Sequence, residues 1–404
     1  MFKTKESDVI NTKYIDVLDG VRAFAIIMVL IFHFWQQTWI TPVIRVPFLK
    51  FIGLDNFNTY YLLYSGFEYV DLMIFLSAFC LFLPHAREMI SGGSTDDIKT
   101  FYKKRIARIF PSYYFCVLVF FAYNLATNAY SSTAFMLKDI LTHLTFTQIF
   151  FSDISNYTLL NPVLWTICIE IWFYILFPFI ADAFKKRPLC TYAVMTLVSL
   201  AYINFYVLAH TEDIFMLVNS FPSFLCVFAN GMMGAVIVVA LAERLKREKF
   251  ITVFFTALCL FSIGLIYYLM QYQFSAVADF KIWQIKYRYI ISLVFGLFVI
   301  SLIFSARGLR LLFANRVTKF LAFISMNLYI WHQQIAAYLK EWRIPYWTGE
   351  IPPNEAGDTA WQWKYAVIIV LVAFAAATGI TYLVEKPCAD LILRRKKNLK
   401  NEHV

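Results

Sequence analysis

Two histidines and a glutamate stand inside long apolar runs of this 404-residue chain. His33 lies in RAFAIIMVLIFHFW, Glu170 in WTICIEIWFYILFP and His332 in NLYIWHQQI. An imidazole titrates near neutrality and suits a general base that takes the proton from an attacking hydroxyl. A neighbouring carboxylate can fix the ring's tautomer and stabilise the imidazolium, which makes Glu170 the candidate partner of His33. His33 as a covalent carrier of the transferred group is the alternative mechanism, and the sequence does not separate the two. For all three residues the plainer reading is hydrogen bonding between packed helices.

The cations are placed differently. Arg22 precedes His33 by eleven positions with only apolar residues between them, so on a helix both lie on one face, about 16 Å apart. Arg105 and Arg108 stand three apart in FYKKRIARIFP, backed by Lys103 and Lys104. Guanidinium forks suit phosphate oxygens, so these three arginines are candidates for a phosphate-bearing ligand. The competing readings are an Arg22 pair with Asp19 and, for Arg105 and Arg108, ordinary anchoring at the inner face. Asp71, in YVDLMIFLSAF, is expected to balance Arg22 or another buried cation, chiefly as a structural partner.

These side chains need a membrane to give their placement meaning. The composition is 60% hydrophobic and only 15% charged, with 42 Phe, which a soluble domain does not carry. Ten runs are long enough to span, at roughly 18–38, 60–83, 110–128, 160–182, 190–209, 222–242, 251–270, 287–305, 318–340 and 364–384. The expected fold is therefore an all-α polytopic membrane bundle, one domain over residues 1–404, with tails at about 1–17 and 386–404. The first run lacks a small-residue cleavage site and reads as a retained span. With the N-terminus inside, 26 Lys and Arg fall on one side and 9 on the other, which predicts both termini in the cytoplasm. The net charge of +10 is then a topology signal, and a nucleic-acid partner is not expected. Seven scattered cysteines without a CxxC pair point to neither a disulfide framework nor a metal site. Longer outer loops are expected at about 39–59, 129–159 and 341–363; the last holds Trp342, Trp347, Trp361 and Trp363, either as a lid that stacks on sugars or as an interfacial belt.

In order along the chain, LDGVRAFAIIMVLIFH, VDLMIFLSAF, RIARIFP, WTICIEIWFY, NLYIWH and EKP resemble the motifs of acyltransferase family 3, the multi-spanning membrane O-acyltransferases of glycans and related acceptors. Ala78, Thr166 and Asn327 depart from the family's usual Gly, Ser and Ser. No esterase-like domain is expected after the last span, so a two-domain relay is not anticipated. The resemblance implies an acyl-coenzyme A donor, with acetyl as the expected group, and a hydroxyl of a cell-surface carbohydrate or lipid-linked saccharide as acceptor. It also implies no permanently bound cofactor and a place in the cell (inner or plasma) membrane among lipids. His33 and Glu170 become the catalytic candidates, and Arg22, Arg105 and Arg108 the donor-binding ones. Asp71, Ser77, Trp165, Tyr329 and His332 become the supporting or substrate-binding ones.

Depth adds an expectation of its own. With span directions alternating, His33, Glu170 and His332 all fall in the outer half of the membrane, where they should share a cavity. The rival reading is a proton-coupled secondary transporter, which also uses buried His, Glu and Asp, but no internal symmetry supports it.

Overall fold

The computed structural model describes residues 15–401 except 41, 42, 46, 48, 49, 51–55, 59, 246, 247 and 277–279. The expected N-terminal tail therefore lies largely outside the described residues, as does much of the 39–59 loop. The long helices are α1 (Asp16–Thr38), α2 (Tyr69–Ser91), α3 (Ile98–Ala126), α4 (Trp165–Lys186), α5 (Pro188–Ala201), α6 (Leu225–Arg244), α7 (Lys249–Ala276), α8 (Phe280–Phe304), α9 (Arg316–Glu341) and α10 (Thr359–Ile380). A π-turn, Thr381–Glu385, joins α10 to a last helix, α11 (Lys386–Asn401). Among the described residues the one departure from an all-helical pattern is a three-residue antiparallel pair, Val43–Arg45 with Asn56–Asn58.

Among the described residues nine helical stretches are long and apolar enough to cross a membrane. The expected span at 318–340 is not among them. It forms α9, whose 26 residues rise about 39 Å, but Asn327, His332, Gln333 and Gln334 make it too polar to qualify by composition. Its polar side faces protein: His332 and Asn327 are fully buried. The basic stretch before Pro111 is helical from Ile98 onward, capped by the Asp97 carboxylate accepting from Thr100 N–H at 2.6 Å. Arg105 and Arg108 thus sit on the early turns of α3.

Close packing fixes α1 and α2. A Cβ on Gly20 would lie 1.8 Å from the Phe313 carbonyl oxygen, and one on Gly66 2.4 Å from that of Met28. A Cβ on Gly231 in α6 would lie 2.4 Å from the Phe75 carbonyl oxygen and 2.7 Å from the Ala78 Cβ. The methyl group of Ala78, a departure from the family's glycine, is therefore accommodated by a glycine on the facing helix.

Asp71 is fully buried and bonded to Arg288 of α8, Nε to Oδ2 at 3.1 Å, and not to Arg22. The Arg288 Nη1 also donates to the Val218 carbonyl at 2.6 Å and to Ser223 Oγ at 2.7 Å, while its guanidinium lies 3.9 Å from the centre of the Phe224 ring. A buried pair loses several kcal/mol per ion on desolvation and depends on such added bonds. Asp71 thus ties α2 to α8.

The 341–363 segment is packed largely on itself. Trp361 is buried, donates to the Pro345 carbonyl at 2.9 Å and stands edge-on to Trp347. These two indoles brace the loop, so of its four tryptophans only Trp342 and Trp363 are exposed.

Candidate active site

One cavity of about 110 Å³ gathers residues from five helices. Arg22 enters from α1, Ser77 and Cys80 from α2, Arg105 and Arg108 from α3, Thr166, Glu170 and Tyr174 from α4, and Ser325 and Tyr329 from α9. All three arginines expected from the sequence therefore face one space. Arg22 Nη1 lies 3.7 Å from Asp19 Oδ1, one helical turn away, and its Nη2 approaches Cys80 Sγ at 3.8 Å. Arg22 takes the Asp19 partner and still lines the cavity. The Arg105 guanidinium packs 5.4 Å from the Phe101 ring centre and 5.5 Å from that of Tyr174, with its Nε buried and without a partner among the described residues. Cations crowded this way repel one another, and an anion in the cavity relieves that repulsion.

Glu170 is held on the arginine side. Its Oε1 accepts hydrogen bonds from Ser77 Oγ at 2.8 Å and from the Tyr174 hydroxyl. No described hydrogen bond joins it to either histidine, contrary to the expected pairing with His33. The reason lies in helical spacing: Tyr174 follows Glu170 by four residues and so covers the same face of α4, while Ser77 meets both from α2.

The histidines form a separate pair beyond the cavity. The His33 and His332 ring centres are 5.1 Å apart, inclined at 50°. His33 Nδ1 lies 3.1 Å from Gln36 Oε1, and His332 Nδ1 lies 2.6 Å from the Tyr329 carbonyl. A carbonyl oxygen only accepts, so in both rings Nδ1 carries a proton and a neutral ring keeps its lone pair on Nε2. His332 Nε2 is buried and has no partner among the described residues. Tyr329 links the two regions: it lines the cavity, its ring centre is 5.7 Å from that of His332, and its hydroxyl donates to the Val163 carbonyl at 3.4 Å. Trp165, expected as a supporting residue, instead packs against the Phe224 ring at 6.0 Å.

Several partners escaped sequence reasoning. Gln36 was passed over although it stands three residues after His33, the spacing that places it on the same face. Glu385 of the EKP motif accepts from Asn327 Nδ2 at 2.6 Å and from Ser112 Oγ at 3.5 Å, so it fastens the end of α10 to α9 and α3. Asn327, where the family commonly has Ser, also donates to Thr381 Oγ1 at 2.9 Å. Thr166, in the usual Ser position, keeps a hydroxyl on the cavity wall and donates to the Val163 carbonyl at 3.2 Å.

The family model for an acyltransferase domain, acyltransferase 3, matches residues 15–385. The chain belongs to the acyltransferase-3 family. Among characterised proteins it is similar to the O-acetyltransferase OatA of Staphylococcus aureus, 26% identical over 202 residues in strains NCTC 8325, COL and MRSA252. That match covers 47% of this chain and only 29% of the relatives' own length. No solved structure matches. The aligned family range takes in every residue of the cavity and both histidines.

Proposed function

We propose that this membrane protein is an O-acyltransferase that takes an acyl group, acetyl by expectation, from acyl-coenzyme A and places it on a carbohydrate hydroxyl reached from the opposite face. The observation that carries this reading is the division of α1. Its arginine end opens on a cavity shared with Arg105 and Arg108, and its histidine end, about 16 Å further along, pairs with His332. The excess of basic residues on the arginine side supports a cytoplasmic placement of that side of the cell membrane and of both termini. The donor's phosphates would rest against the guanidinium groups and its thioester arm would extend toward the histidines. The cavity is smaller than the usual 300–1,000 Å³ of ligand sites, so donor entry requires it to widen.

In the transfer, His33 Nε2 takes the proton of the acceptor hydroxyl as that oxygen attacks the thioester carbonyl. The tetrahedral intermediate collapses, the C–S bond breaks, and the proton passes to the leaving thiolate to give coenzyme A. Gln36 holds the ring in the tautomer this needs, the office first expected of Glu170. Glu170, bonded to Ser77 and Tyr174, positions the arginine-lined wall.

Purified protein in lipid vesicles, supplied with acetyl-coenzyme A and a panel of saccharides, should release coenzyme A and form an ester. Wild type that neither consumes the donor nor labels any saccharide overturns the reading.

A further inference from the structure

Beyond His33, α1 ends in an aromatic cleft that plays no part in the donor cavity. Its walls are Trp35, Gln36, Trp39, Tyr64, Phe67 and Phe280, and it encloses about 490 Å³. We propose that this cleft is the acceptor subsite and that it binds a pyranose ring of the saccharide to be acylated. The proposal rests on the acyltransferase reading and adds the place and the chemistry of acceptor recognition.

Position is the first argument. Trp39 lies seventeen residues beyond Arg22, so the cleft stands about 26 Å from the arginines along one helix axis, at the opposite end of the protein. An acceptor approaching from that face meets the cleft before it meets the histidines.

Continuity is the second. Gln36 lines the cleft and, through its side-chain carbonyl, holds His33 Nδ1 at 3.1 Å. A molecule seated in the cleft is thus one residue away from the proposed base, and ring and base share a common anchor.

The chemistry of the lining is the third. Trp35 lies in the last turn of α1 and Trp39 directly follows the helix, and both line the cleft. Trp35 stands edge-on to Tyr64 at 5.8 Å, and Phe67 meets Phe280 at 5.3 Å, so the rings form a rigid, interlocked wall. Trp39 closes α1 in the left-handed conformation at φ 59° and is half exposed, an indole at the rim. Pyranoses carry an apolar face of C–H groups with hydroxyls at the edge. Flat aromatic walls suit the face, while the side-chain amide of Gln36 suits the edge. An acyl chain would use the rings but offer nothing to the Gln36 amide N–H groups.

Tryptophan fluorescence of the full-length protein in phosphatidylcholine vesicles tests this, with cellotetraose and chitotetraose as probes at millimolar concentration. At least one probe should shift the wild-type emission, and Trp39→Ala and Phe67→Leu should each weaken binding tenfold or more while acetyl-coenzyme A affinity stays the same. His33→Ala should bind the sugar normally, which keeps this test separate from the catalytic one: wild type that binds sugar but, given acetyl-coenzyme A, shows no turnover leaves the cleft standing and sinks the transfer reading. Three results overturn the proposal: neither sugar binds wild type, both variants bind as wild type does, or brominated acyl chains quench the Trp39-dependent emission, which would make the cleft a lipid seat.

Discussion

His33 and His332 face each other at 5.1 Å, and each ring has its Nδ1 proton directed to a carbonyl oxygen, the first to Gln36 and the second to the Tyr329 backbone. In that tautomer each ring, when neutral, carries its lone pair on Nε2. In the proposed transfer Gln36 would orient His33 as the base, and among the described residues no carboxylate is hydrogen-bonded to either ring.

Replacing His33 with Ala should lower kcat by about 10²–10⁴-fold, the usual contribution of a general base. Membrane insertion should be unaffected, because an apolar helix stays apolar. Turnover of the purified variant near the wild-type rate would remove His33 from catalysis.

Gln36→Leu keeps the size of the side chain but frees the His33 ring to adopt the other tautomer. The expected effect is a fall in kcat on the order of tenfold, with the donor KM unchanged and the pH–rate profile displaced. An unaltered profile and rate would mean that the ring is held by something other than Gln36.

Arg105→Ala combined with Arg108→Ala should weaken acetyl-coenzyme A binding by tenfold or more, since each guanidinium–phosphate contact contributes about 1.5–3 kcal/mol. Calorimetry on the reconstituted protein reads this directly. Unchanged donor affinity would return both residues to the role of topology signals.

Arg288→Met should be among the most destabilising single changes in the molecule, by about 3–5 kcal/mol, because it strands the buried Asp71 carboxylate. Asp71→Asn, which keeps an acceptor for the guanidinium, should cost less. Thermal unfolding in detergent ranks the two, and the reverse order would contradict the pairing.

Gly231→Ala drives a methyl group to 2.4 Å from the Phe75 carbonyl oxygen and should lower stability by about 1–3 kcal/mol. Adding Ala78→Gly should recover part of the loss, since it removes the methyl at 2.7 Å but leaves the backbone contact. Full recovery would locate the crowding at Ala78 alone.

The arginines were legible in the sequence because their spacing and their sidedness both survive folding. Arg22 lies on the same helix as His33, and Arg105 and Arg108 share one helical face just ahead of Pro111. Depth alone also brought His33 and His332 together. It failed for Glu170, because depth says nothing of azimuth: α4 turns this carboxylate toward Ser77 and Tyr174, away from the histidines. Arg288 was hidden for a related reason. It stands at the start of a span, where a basic residue passes for an interfacial anchor, and only the packing of α8 against α2 reveals Asp71 as its partner. The hydropathy of α9 misleads in the opposite direction, because its polar groups answer to neighbouring helices and not to lipid.

The two glycine approaches on α1 have a mechanical meaning. Gly20 touches the chain at Phe313 and Gly66 touches α1 at Met28, backbone against backbone at two levels of the same rod. A helix gripped at two heights resists both sliding and tilting. For the proposed donor to enter, α1 would serve as the fixed post, and the wall expected to yield is α3, the least enclosed of the four described cavity helices that are apolar enough to span. Displacing α3 in that way would carry Arg105 and Arg108 with it and leave the histidine end of α1 in place.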